Sequence, residues 1–225
     1  MLKDRYNYKL NGIEHEIILN NNIKINIPPV NDKILMANKF MLKYINDLFN
    51  YYNIEYTILN NTLLGQYVFQ GINIFDKDLE IGTSHNNLFK IKKLEDELKE
   101  DGFTVYYMEE KYIKISTTFI NKTKTSIHIY LFNHNTENDT ITYTLTDNSA
   151  MSHRFYDIFP IQKGKFEEFE ISIPHKLEKI IESFSINLNY IVFTDKKDIQ
   201  LKIIDEKTND TIYEKFISII KPFLF

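Results

Sequence analysis

The chain has 225 residues, 43% hydrophobic and 26% charged, the balance of a globular protein long enough to bury one sizeable core and not that of a disordered one. A net charge of −4 leaves no broad basic footprint for nucleic acid, although a small nucleotide needs only a local site. The absence of cysteine excludes disulfides and thiolate zinc centres.

Met1 to Leu10 carries charges and no apolar stretch, so no signal peptide is expected. Phe216 to Phe225, the most apolar run, is broken by Lys221 and Pro222 and falls short of the roughly 20 residues that a spanning helix needs. The expectation is a cytoplasmic protein without a transmembrane segment.

Tyr6 to Ile27 reads as an N-terminal hairpin, with I-I-L and I-K-I-N-I separated by Asn20 to Asn22 and closed by Pro28 and Pro29. Asn31 or Asp32 can cap a helix running to about Tyr52, and Glu55 to Leu59 follows as a strand. Leu88 to Lys99 has the pattern of a second amphipathic helix, ended by Gly102. Phe103 to Tyr107, Tyr112 to Thr117 and Thr125 to Phe132 are strands by composition and alternation, and T-I-T-Y-T-L-T before Asp147 adds an edge strand. K-G-K followed by F-E-E-F-E-I-S-I predicts a hairpin with one buried face. His175 to Phe184 and Asn209 to Ile220 are helices, and the apolar side of the latter, were it exposed, would be a homodimer interface. These elements make an α/β (α+β) fold, a mixed sheet flanked by helices with an N-terminal hairpin and a C-terminal helical extension.

Between the first two helices lies the chemistry. Asp76, Asp78 and Glu80 are spaced by two, so on a strand their carboxylates share one face while Leu79 and Ile81 face the core. Converging carboxylates suit Mg2+ or Mn2+, which take oxygen ligands and bridge to phosphates. The competing reading is three solvated charges at a strand end. Arg154, which shares its type only with Arg5, is a candidate for a substrate phosphate because a guanidinium fork matches phosphate oxygens.

The segment N-T-L-L-G-Q-Y-V-F-Q-G-I-N-I-F-D-K-D-L-E from Asn61 to Glu80 resembles the hallmark G-T-L-L-G-x-x-R-x-x-G-x-I-P-W-D-x-D-x-D of the LicD/fukutin family of the nucleotidyltransferase-fold superfamily. Thr62, Leu63, Leu64, Gly65, Gly71, Asp76 and Asp78 match. Asn61, Val68, Ile74, Phe75 and Glu80 replace Gly, Arg, Pro, Trp and Asp. His153 to Pro174 is similar to a later segment of the family through Phe159, Pro160, Phe166 and Pro174.

The resemblance implies one nucleotidyltransferase-fold domain over 1–225, with the hairpin at 1–30, the core and metal site at 31–150 and family-specific hairpin and helices at 151–225. It implies a metal-dependent enzyme that moves a phospho-alcohol, of the phosphocholine or pentitol phosphate type, from a CDP-linked or other nucleotide-diphosphate donor to a sugar or glycan. Asp78 and Glu80 would coordinate Mg2+ or Mn2+, and Asp76 would hold the metal's water or the acceptor hydroxyl. Asn61, Thr62 and Gly65 would hold phosphate oxygens. His128, in I-H-I-Y, stands where the family has a further carboxylate; it is either a hydrogen-bonded core neighbour or a fourth metal ligand of borderline character. The alternatives are an enzyme that adds NMP to a sugar, a protein or an antibiotic, and a non-catalytic relic that binds a nucleotide or glycan.

Overall fold

The structure is a computed structural model that describes residues 4–10, 13–19, 32–73, 76–109, 111–117, 124–183 and 198–199. Strands β1 (Asp4–Leu10) and β2 (Ile13–Leu19) pair antiparallel with Leu10 opposite Ile13. The hairpin thus lies earlier than expected, and Ile23 to Ile27, read as its second strand, falls outside the described residues. The Asn11–Gly12 dipeptide between the two strands is the strongest short hairpin marker and outranks the Asn-rich run after β2.

Helix α1 (Asp32–Tyr51) buries Ala37, Asn38, Met41, Leu42, Ile45, Leu48 and Phe49 along one side. The spacing is helical, as the sequence predicts. Strand β3 (Tyr56–Ile58) leads into α2 (Asn60–Phe69), and β4 (Asp78–Ser84) follows. The second amphipathic segment is divided: α3 (Leu88–Lys93) and α4 (Glu95–Glu100) meet at Leu94, whose N–H bonds back three residues to Ile91 at 3.0 Å. Gly102, at φ 78°, closes α4 as predicted. Its N–H bonds Lys99 and that of Phe103 bonds Leu98, the paired closure that only a left-handed residue permits without strain.

Strands β5 (Thr104–Met108), β6 (Tyr112–Thr117) and β7 (Thr125–Asn135) complete the central sheet in the order β3-β4-β7-β6-β5. Only the β4–β7 pair in that path is parallel, which makes the sheet mixed. β8 (Thr140–Thr144) extends it from the end of β7, and β9 (Ala150–Arg154), not foreseen, pairs with β8. A short α5 (Phe155–Ile158), the expected hairpin β10 (Gln162–Phe166) and β11 (Phe169–Ile173), and α6 (Leu177–Ser183) follow. β12 (Asp198–Ile199) pairs parallel with β2. Asn209 to Ile220, with the proposed dimer face, lies outside the described residues. Among the described residues no helix is long and apolar enough to cross a membrane.

The register of the central strands separates two faces. Leu79 and Ile81 stand beside Ile127 and Ile129, which stand beside Ile115 and Ile113, and all six are buried. Successive side chains alternate, so Asp78 and Glu80 fall on the opposite face, in line with Ser126, His128 and Tyr130. Ile129 is fully buried at the centre of the apolar face, and Ile129→Ala should lower the unfolding free energy by about 2–5 kcal/mol in urea titration. An unchanged midpoint would remove this layer from the core.

Candidate active site

The site forms where the start of α2 meets β4. Asn60, the first residue of α2, takes φ 46°, a left-handed conformation that Asn tolerates better than most residues. The special backbone therefore sits one residue before Asn61, where the sequence comparison puts it.

Glu80 is bound tightly to this turn. Its Oε1 accepts from Asn60 Nδ2 at 3.0 Å and from the Tyr130 hydroxyl at 2.9 Å, and its Oε2 accepts from the Asn61 N–H at 3.1 Å. The Glu80 N–H donates to Thr62 Oγ1 at 2.8 Å, and its carbonyl accepts from the Leu59 N–H at 3.0 Å. Tyr143 extends the network by donating to Asn60 Oδ1 at 3.1 Å, and His153 Nε2 lies 3.4 Å from the same hydroxyl.

Asp76 and Asp78 lie just before and at the start of the strand. The Asp78 N–H donates to Asp76 Oδ1 at 3.2 Å, which brings the two residues together in a local turn. Asp78 Oδ1 accepts from the Ser126 hydroxyl on β7, its register partner. Asn38, fully buried on α1, donates to the Asp76 carbonyl at 3.4 Å and accepts from the Thr125 hydroxyl, so α1 steadies the loop from behind. Lys77 between the two aspartates is exposed.

Asp76 and Glu80 carry the cost of burial and of neighbouring negative charge. Burial pushes the Asp76 carboxyl up to about 8, the Glu80 and Asp78 charges add to the rise, and the Asp78 N–H and the Asn61 side chain oppose it. Burial also raises Glu80, against the hydrogen bonds of Asn60, Tyr130 and Asn61. Among the described residues, no Lys or Arg stands within ion-pair distance of the three.

A consequence for stability follows by linkage. An acid held near 8 in the fold, against an ordinary value of 3.8, keeps its proton where the unfolded chain has lost it. The native state binds more protons across that interval, so stability falls as pH rises from about 4 to 8, by at most about 1.4 kcal/mol per pH unit for one group. Urea midpoints in EDTA should be lower at pH 7.5 than at pH 5, and Mg2+ should raise the midpoint more at pH 7.5. A midpoint that climbs with pH in EDTA would contradict this electrostatic picture.

The other predicted residues are placed as follows. His128 sits on β7 beside Glu80, 9% exposed, with Tyr112 edge-on at 5.6 Å; burial and Lys114 lower its proton affinity while Asp78 opposes them. Thr62 is buried, its hydroxyl engaged by Glu80. Gly65 lies inside α2 under the 71–73 backbone. Arg154 is exposed at the end of β9, while its neighbour His153 faces Tyr143. Asn38, Asn60, Ser126, Tyr130 and Tyr143 also shape the site and were not singled out in the sequence. The alternation of Ser126, His128 and Tyr130 on one strand was the available signal for two of them.

Comparison with known proteins bears on this arrangement. The LicD/FKTN/FKRP nucleotidyltransferase domain matches residues 53–176, which contain every element of the site except Asn38. The uncharacterized protein RP689 of Rickettsia prowazekii is 29% identical over 136 residues, 60% of this chain and 48% of that protein. The uncharacterized protein RT0683 of Rickettsia typhi is 27% identical over 147 residues, 64% of this chain and 44% of its own length. The chain thus spans about half the length of the curated relatives it matches. The crystal structure of the lincosamide antibiotic adenylyltransferase LnuA, lincomycin-bound, aligns with a TM-score of 0.43 and 15% identity over 75% of this chain and 92% of that one. With the family match covering more than half of its length, this chain belongs to the LicD/FKTN/FKRP family and carries that family's nucleotidyltransferase domain.

Proposed function

We propose that the chain moves a phospho-alcohol, of the phosphocholine or pentitol phosphate type, from a CDP-linked donor to a hydroxyl of a sugar or glycan, with Mg2+ or Mn2+ as cofactor. The observation that carries this reading is the grouping of Asp76, Asp78 and Glu80 at the start of β4, where burial first and neighbouring negative charge second raise the Asp76 and Glu80 carboxyls, with no cationic side chain beside the three among the described residues.

The residues present fit a divalent cation of the hard, oxygen-seeking kind. Their donors are carboxylates, and mutual repulsion between them is relieved by a cation. Among the described residues no three or more His, Asp or Glu side chains enclose a site. Mg2+ is commonly held by one or two carboxylates and completed by substrate phosphates and water. Asp78 is common to each way of holding the ion, with Asp76 or Glu80 beside it. When bound, the cation would neutralise charge on the donor diphosphate and on the departing phosphate.

In the reaction the acceptor oxygen forms a bond to the phosphorus that carries the alcohol. The P–O bond to the CMP phosphate breaks, CMP leaves with the electron pair, and the hydroxyl proton passes to a base. The chain's own part is positioning and charge: Asp78, oriented by Ser126 at the start of β4, and Asp76, held just before the strand by the Asp78 N–H, present carboxylate oxygens to the donor.

The test is product analysis with the purified chain, Mg2+ or Mn2+, and a panel of CDP-linked donors and glycan acceptors. A product heavier by a phospho-alcohol, with CMP released, is expected. A product heavier by a nucleotide would establish NMP transfer instead, and metal-independent or absent turnover across the panel would overturn the reading.

A further inference from the structure

The strand spacing pairs Asp78 with Glu80, whereas the hydrogen bonds divide the three carboxylates differently. Glu80 Oε1 already accepts two hydrogen bonds, from Asn60 and Tyr130, which use both lone pairs of a carboxylate oxygen. Oε2 accepts the Asn61 N–H. Together with its backbone bonds to Leu59 and Thr62, Glu80 holds four consecutive residues at the start of α2, and it is only 6% exposed. A carboxylate at that place also meets the free N–H groups and positive end of a ten-residue helix. Asp78 contrasts with it: partly buried, with Ser126 on Oδ1 and no protein donor on its other oxygen among the described residues. Asp76 stands against the backbone of Asp78, its Oδ1 accepting the Asp78 N–H at 3.2 Å.

Side-chain length supports the division. The Glu80 side chain spans from β4 to the Asn60 amide and the Asn61 N–H of α2 while its backbone stays in register with His128.

We propose that the cation-holding pair in this chain is Asp76 and Asp78, and that Glu80 is a positioning residue that anchors the first turn of α2. The anchor fixes Asn61 at the head of α2 through its backbone N–H on Glu80 Oε2. Tyr130, Asn60 and Tyr143 form the rest of the anchor, so β7 and β8 brace a turn that belongs to α2. This rests on the metal-dependent reading above.

The experiment measures Mn2+ binding by calorimetry, amide exchange in α2, and steady-state turnover, on the full chain and on Asp76→Asn, Asp78→Asn, Glu80→Gln and Tyr130→Phe. Gln at position 80 can still accept from Asn60 and Tyr130, but its amide group meets the Asn61 N–H donor to donor. Glu80→Gln is therefore expected to speed exchange at Asn61 and Thr62 and to lower kcat about tenfold, with Mn2+ affinity and donor KM held within about threefold. Asp76→Asn and Asp78→Asn should each weaken Mn2+ by about thirtyfold or more. Tyr130→Phe should speed α2 exchange and leave Mn2+ affinity unchanged.

Loss of Mn2+ by Glu80→Gln to the extent seen in Asp78→Asn would overturn the assignment, as would tight Mn2+ binding by Asp76→Asn. If Glu80→Gln does not fold, Asp76→Asn and Tyr130→Phe decide the matter by the same criteria. A wild-type chain that binds no Mn2+ would overturn the metal reading itself and the pair with it, which is a different result from a wild type that binds while the variants rank otherwise.

Discussion

Replacing Asp78 by Asn should lower transfer about 10³-fold while leaving Tm within about 2 °C of the wild type, the first because metal-based charge stabilisation is worth several kcal/mol in the transition state. The second half of the result follows from the local geometry. Asn is isosteric with Asp, and its Oδ1 can still accept the Ser126 hydroxyl that holds Asp78 in place. Its backbone N–H keeps the bond to Asp76, and the parallel register with β7 is untouched. What disappears is one negative charge from a crowded group, which relieves repulsion on Asp76 and Glu80. Activity and stability therefore separate at this residue. Turnover with a CDP-linked donor, measured beside a thermal melt, checks both at once. Unchanged turnover would take Asp78 out of the reaction.

Gly65→Ala should do the reverse, lowering stability by about 3 kcal/mol through steric overpacking. For a chain of this length that is a fall in Tm of roughly 6–12 °C. A Cβ at position 65 would stand 2.5 Å from the Asn73 nitrogen and 2.7 Å from the Gly71 carbonyl oxygen. Both obstacles are backbone, so no rotamer change relieves them, and the 71–73 segment must move away from α2. That segment leads directly to Asp76, whose N–H bonds the Asn73 carbonyl at 3.2 Å. Activity should fall with stability, because the loop that sets Asp76 shifts. A Tm within 2 °C of wild type would mean that α2 and the loop are less tightly apposed than the structure has them. The expectation that Gly65 holds a phosphate oxygen thus meets a buried glycine whose evident physical role is to let two backbones approach.

The chain's pattern reached some features directly because they depend on neighbours in sequence. The helical stripe of α1, the Gly102 closure of α4 and the alternation in β4 and β7 are of this kind. The hairpin at the N-terminus is less legible because two turn signals, Asn11–Gly12 and Asn20 to Asn22, lie close together, and the strands pair across the first, with Leu10 opposite Ile13. The division of the second helical segment at Leu94 left no mark in its amphipathic pattern, since Ile91, Leu94 and Leu98 stay buried across the break.

By itself the sequence determined that Asp78 and Glu80 share a strand face, opposite Leu79 and Ile81, because a strand repeats every two residues whatever surrounds it. Tertiary structure decided which of their oxygens are engaged. Tyr130 reaches Glu80 across 50 positions of the chain, Ser126 reaches Asp78 across 48, and Asn38 meets Thr125 across 87. Hydrogen bonds act over about 3 Å in space with no regard for separation along the chain. Local spacing can therefore assemble the acidic face, and only the packing of α1, α2 and β7 around it can distribute the work among its carboxylates.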